Sequence, residues 1–193
     1  MDPDHPDEPD DIALMLRVRS GDEDAFETLV ERHQYRVIGT IAKMLGGESD
    51  AEDLAQQVFI RVWQSAPRYE PGAKFTTWLL TITRNLVFNE CRRRGRARLV
   101  PFETDDEFGP RDRPDPQTRT AAEHSVEHEL EQAIEQAIAA LPEQQRLALV
   151  LRRYEDLAYE EIAEVLHVSV PSVKSLLFRA RTELKERLAR YLT

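Results

Sequence analysis

Cys91 is the only cysteine in the 193 residues, so no disulfide can close within the chain, and the reducing cytoplasm is its expected home. Its immediate followers are Arg92, Arg93 and Arg94, and no recognisable partner motif accompanies it, so it reads as an incidental residue rather than a catalytic thiol. No phosphate-cradling loop or nucleophile motif occurs. No apolar run approaches the roughly 18 residues that a membrane-spanning helix needs. The opening text "MDPDHPDEPDD" has neither the basic nor the apolar segment of a secretory leader, and its acidic, proline-rich composition cannot bury a core. A disordered tail is expected over residues 1–11. Alternating apolar and polar runs are missing as well, which excludes a sheet-based fold and leaves an all-α one.

What the chain has is charge, unevenly spread. Acidic residues number 36 against 26 basic ones, a formal net charge of −10 that argues against indiscriminate coating of nucleic acid. Yet Lys74, Arg84, Arg92, Arg93, Arg94, Arg96 and Arg98 face only Glu90 in their stretch, and "SVPSVKSLLFRAR" near the end is cationic too. Two basic islands stand in an acidic protein.

Apolar spacing predicts where the helices run. Phe26, Leu29, Val30, Val37, Ile38, Ile41 and Leu45 recur at helical intervals from Asp22 until Gly46 and Gly47 stop them. Asp50 starts a second helix with Leu54, Val58 and Val62 on one face, and "APRYEPGAK" breaks it. A third carries Phe75, Trp78, Leu79, Ile82 and Leu86 at helical spacing, with Phe75 assigned to the core and Trp78 favoured as core support. From about Gly95 to Thr120 the pattern lapses into proline- and aspartate-rich text that reads as a linker. Helical order resumes at Val126 and runs to Leu141; Pro142 ends that helix and can open the next, because a first-turn proline forfeits no intrahelical hydrogen bond. The expectation is two small helical domains joined by a flexible linker: residues 12–97 and 126–193, with the linker over 98–125.

The second domain ends in "YEEIAEVLHVSVPSVKSLLFRARTELKERL", which has the length and punctuation of a helix-turn-helix. Ala163 is small enough for a close crossing, Val173 falls at the buried position of the second helix, His167 takes the turn, and Ser169 supplies the cap before Pro171. Val173, Leu177, Ala180, Leu184 and Leu188 point inward. Ser172, Lys174, Ser175, Phe178, Arg179, Arg181 and Lys185 are left on the other faces, where a helix in the major groove presents side chains to base edges and phosphates.

Taken in order, "DAFETLVERHQYRVIGTIAKMLG", "DAEDLAQQVFIRVWQSAPRYEPG", "KFTTWLLTITRNLVFNECRRR" and "LPEQQRLALVLRRYEDLAYEEIAEVLHVSVPSVKSLLFRAR" resemble the two conserved regions of a bacterial RNA polymerase sigma factor of the extracytoplasmic-function group. The resemblance covers most of residues 12–97 and 130–190. It implies a promoter-specificity factor that needs no cofactor and catalyses nothing itself, binding the clamp and flap regions of core polymerase, promoter DNA and an anti-sigma factor. By the same resemblance Asp50, Asp53, Gln56, Gln57 and Arg61 contact polymerase. Tyr69, Lys74, Thr81, Arg84, Asn85, Arg92 and Arg93 hold the minus-10 sequence as single-stranded DNA, and Ser172, Lys174, Ser175, Phe178, Arg179 and Arg181 read the minus-35 duplex. Gln57 stands where many relatives have Glu, and Pro171, Ser172 and Leu176 depart from the family's usual text, so its usual minus-35 preference does not carry over.

Two other classes compete. A conventional helix-turn-helix regulator would bind its operator without polymerase. A metal enzyme would use His124 and His128, spaced as a helical pair, but "HSVEH" lacks the metalloprotease order and no third ligand is evident.

Overall fold

The computed structural model describes residues 10–47, 50–97 and 121–191, with side chains up to 95 in the second segment and from 129 onward in the last. Most of the expected tail and linker lie outside these residues, as do the side chains of His124 and His128.

Eight α-helices are described, several of them placed by a local signal. The first, α1 (Asp11–Arg19), is absent from the periodicity reading because it is short and only weakly two-faced. Asp10 caps it by accepting the Ala13 N–H at 2.6 Å, and Leu14, Met15 and Val18 bury its inner side. Helix α2 (Glu23–Leu45) follows after Asp22 accepts the Ala25 N–H at 3.0 Å. It stops at Gly46, whose φ of 75° lets the chain turn left-handed while its N–H returns to the Ala42 carbonyl. Helices α3 (Ala51–Ser65) and α4 (Phe75–Ala97) complete the first half, separated by a 3-10 turn at Ala66–Arg68. Leu29, Val37, Ile41, Leu54, Val58, Val62 and Leu79 close its core.

The second half holds α5 (Ala121–Ala139), α6 (Glu143–Arg153), α7 (Tyr159–Leu166) and α8 (Val170–Arg187). Pro142 stands just outside α6 as its cap, so its missing N–H costs no helix bond. Between α7 and α8, His167 adopts φ 54° and Ser169 accepts the Ser172 N–H at 3.4 Å, while Val173 is fully buried against the preceding helix. The helix-turn-helix expected from the spacing is therefore present, with Ala163 buried on its first helix.

The two halves are packed on one another. Buried side chains form one cluster running from Leu14 through Val87 to Leu147 and Leu177. Helix α4 lies along α7 and touches α6, and α2 meets α5 and α6. Arg146 of α6 donates to the carbonyls of Met44, at the end of α2, of Ala139, and of Leu141. Among the described residues no helix is long and apolar enough to cross a membrane.

Candidate nucleic-acid and partner-binding surfaces

Three faces carry the side chains that the sequence singled out. On α3, Asp53, Gln56, Gln57 and Arg61 all point to solvent, on the side away from Leu54, Val58 and Val62. Asp50 is exposed at the start of the helix but already engaged: Arg94 of α4 donates to its carboxylate. The same face shows what the sequence reading missed. Phe26, Val30 and Ile38 of α2 and Phe59, Ile60 and Trp63 of α3 line an apolar groove, with Gln56 and Glu52 at its edge. Tyr35, Ile60 and Trp63 remain 78%, 55% and 36% exposed, and Phe26 meets Trp63 edge-on at 5.0 Å. Grouped exposure of large apolar side chains marks a partner surface. The signal was available, since Ile60 and Trp63 are three apart and off the stripe of Leu54, Val58 and Val62.

The second face is α4 with the loop before it. Tyr69 is only 3% exposed; its ring packs edge-on against Trp78 at 5.0 Å, and burial followed by the nearby Asp10 and Asp11 charges pushes its phenol pKa up. The ring is thus part of the packing in this arrangement. Thr81 donates to the Thr77 carbonyl of its own helix, and Asn85 is exposed. Lys74 pairs with Glu161 of α7 at 2.9 Å. Arg84 donates at 2.8 Å to the Val165 carbonyl, lies over the Phe88 ring, and also holds Asn85 Oδ1. Partial burial lowers its pKa without discharging a guanidinium. Arg92 donates to Asn89, while Arg93 and Arg94 both bond Glu90. A small polar cleft lies between Arg84, Asn85, Phe88, Asn89, Arg92 and Glu143, where α4 approaches the start of α6.

The third face is α8. Ser172, Lys174, Ser175, Phe178, Arg179 and Arg181 are all exposed, Phe178 by 71%. Lys174, Arg179 and Arg181 form no ion pair among the described residues. The Ser169 and Ser172 hydroxyls lie 2.9 Å apart at its N-terminal end. An N-capped helix presenting free cations, small hydroxyls and one aromatic on its outer side has the shape and chemistry to enter a major groove.

Residues 29–97 match the family description "Sigma-70 region 2" and residues 131–184 match "Sigma-70, region 4". The two-domain helical protein described here belongs to the sigma-70 family of RNA polymerase sigma factors. Within it, the chain falls in the extracytoplasmic-function group. It is 36% identical over 172 residues to ECF RNA polymerase sigma factor SigE of Mycolicibacterium smegmatis, covering 86% of this chain and 63% of that protein. It is 33% identical over 180 residues to the RNA polymerase sigma-H factor of Pseudomonas aeruginosa, covering 92% and 93%. Among solved structures, CnrH in complex with the cytosolic domain of CnrY has the same fold, with a TM-score of 0.68 at 23% identity over 95% of this chain and 99% of that one. The sigma factor RpoE of Bartonella quintana, in complex with the anti-sigma factor NepR, gives 0.65 at 23% identity over 85% and 96%.

Proposed function

We propose that this sigma factor directs core RNA polymerase to its promoters through three separate faces. The outer side of α2 and α3 docks on the polymerase clamp: Asp50, Asp53, Gln56, Gln57 and Arg61 supply the polar rim, and Tyr35, Ile60 and Trp63 supply the apolar centre. Such a division follows the usual anatomy of a protein interface, in which buried aromatic anchors carry most of the affinity. The α4 face, with Lys74, Thr81, Arg84, Asn85, Arg92 and Arg93, holds the minus-10 element as an unpaired strand. Unstacked bases need polar walls beside a cationic track, and this helix has both. Helix α8 reads the minus-35 duplex, and region 4 also meets the polymerase flap.

The observation that carries the reading is the set of unpaired cations on α8, Lys174, Arg179 and Arg181, around exposed Phe178, in a helix whose inner side buries Val173, Leu177 and Ala180. The protein makes and breaks no covalent bond itself and works in the cytoplasm, where polymerase is. An anti-sigma partner is supported by the solved complex of RpoE with NepR, which shares this fold.

Run-off transcription with core polymerase on genomic fragments tests the reading. Discrete transcripts should require both proteins. Failure of the chain to bind core enzyme, or selection of the same fragments without it, would overturn the proposal in favour of a free-standing regulator.

A further inference from the structure

A cleft of about 480 Å³ is lined by the last turns of α2 and α5 and by Tyr154, the residue after α6. Ala42, Ile134, Ile138 and Ala139 give it apolar walls, and the Tyr154 ring and the Lys43 side chain complete them. The ends of α2 and α5 approach closely here, since a Cβ placed on Gly46 would lie 3.4 Å from that of Ala139. Converging helix C-termini would by themselves favour a cation. Their carbonyls are already served, however: Arg146 donates to those of Met44, Ala139 and Leu141, and the Ala42 carbonyl accepts from Gly46 and Gly47. The charge left over on the walls is the Lys43 ammonium. It lies 4.4 Å from the Tyr154 ring centroid and has no ion pair among the described residues. A cation–π contact holds the ammonium in place but offers no lone pair to its three donors.

We infer that this cleft binds a small amphipathic monocarboxylate, of the class of medium-chain alkanoic acids, with its carboxylate on Lys43 and its apolar chain against Ile134, Ile138 and Ala139. The volume is that of a pocket able to enclose a small molecule, and an apolar lining with one oriented polar anchor is the usual composition of such a site. Glu135, exposed at the rim, repels a second negative charge and so selects against diacids and phosphates. The cleft shares no residue with the three faces of the proposed function. Its walls come from both halves of the chain, so an occupant bridges them and stabilises the folded protein by mass action.

Calorimetric titration of the full chain with octanoate, octanol and octylamine tests this. Octanoate should bind one per chain, at least about tenfold more tightly than the alcohol or the amine. Butanoate should bind at least about tenfold more weakly than octanoate, because each buried methylene is worth a factor of roughly four. Lys43→Met should lose at least about tenfold of the octanoate affinity, while Lys43→Arg retains most of it. Saturating octanoate should raise the melting temperature of wild type and leave that of Lys43→Met unchanged. Absence of both heat and thermal shift at millimolar octanoate would overturn the site. Equal binding of octanol or octylamine by wild type would overturn the carboxylate assignment, and that comparison needs no variant to fold. Because the α2–α3 groove is also apolar, Trp63→Ala serves as its control: loss of binding there, with Lys43→Met unaffected, would put the acid in that groove and end the proposal.

Discussion

His33 Nε2 lies 2.8 Å from Asp11 Oδ2 and ties the start of α1 to the middle of α2. The imidazole is buried, and its other nitrogen, Nδ1, has no partner, so Asp11 supplies the one polar contact the ring has. Arg32 approaches the same carboxylate at 3.2 Å. Burial pushes the Asp11 pKa up, but hydrogen bonding and charge from His33 and Arg32 outweigh it and leave the group below its ordinary value.

Asp11→Ala should therefore destabilise the first half by about 1–3 kcal/mol, the cost of orphaning a buried polar group. Urea unfolding measures it. The wild-type advantage should be present above the ordinary aspartate pKa of 3.8 and fade as the pH falls through the lower native value, since the depressed group then takes up its proton in the folded state. An undiminished difference in strong acid would contradict the assignment.

Glu90 makes a sharper pH prediction. Arg93 and then Arg94 hold its carboxyl down to about 2 from an ordinary 4.5. Its native pKa is depressed, so its contribution is complete above 4.5 and is lost between there and about 2 as acid is added. Glu90→Gln should remove that part of the acid dependence. Denaturant midpoints of the two proteins, followed by circular dichroism across this interval, should converge toward its lower end.

Trp63→Ala separates docking from folding. Trp63 is part-exposed and packs edge-on with Phe26, so its removal should change the melting temperature little. As the proposed anchor of the polymerase face it should weaken core binding by about tenfold or more, which is the loss expected of an aromatic hot spot. Titration of labelled chain with core enzyme measures this, and full-strength binding would remove Trp63 from the interface.

The chain reveals its elements more readily than their partners. The runs from Phe26 to Leu45 and from Phe75 to Leu86 announce α2 and α4 because each buries a continuous stripe, and His167, Ser169 and Pro171 mark the turn into α8 by their own backbone preferences. Helix α1 escaped because Leu14, Met15 and Val18 span too few turns to establish a period. The occupation of Arg84 by Val165 was illegible for another reason. The two are 81 residues apart, and periodicity shows that a helix face is covered without saying by what. Tyr69 likewise looks like an open wall in an irregular loop, yet its ring is buried against Trp78 once α1 and α4 close around the loop.

Arg179→Ala and Asn85→Ala should fail in different ways. Arg179 is exposed on α8 and unpaired, so its loss should leave folding and polymerase binding intact. It should lower minus-35-dependent transcription by the equivalent of about 1–3 kcal/mol, whether it reads a base or a phosphate. The salt dependence of duplex binding tells these apart, because losing a phosphate contact reduces the slope while losing a base contact relaxes sequence preference. Asn85 is exposed on α4, beside Arg84, and its amide oxygen already accepts from that guanidinium. Asn85→Ala should spare duplex binding and reduce promoter opening, seen as weaker permanganate reactivity of unpaired thymines. If both variants lost duplex binding equally and opened alike, the division of labour between α4 and α8 would be wrong, and a single reading surface would have to replace it.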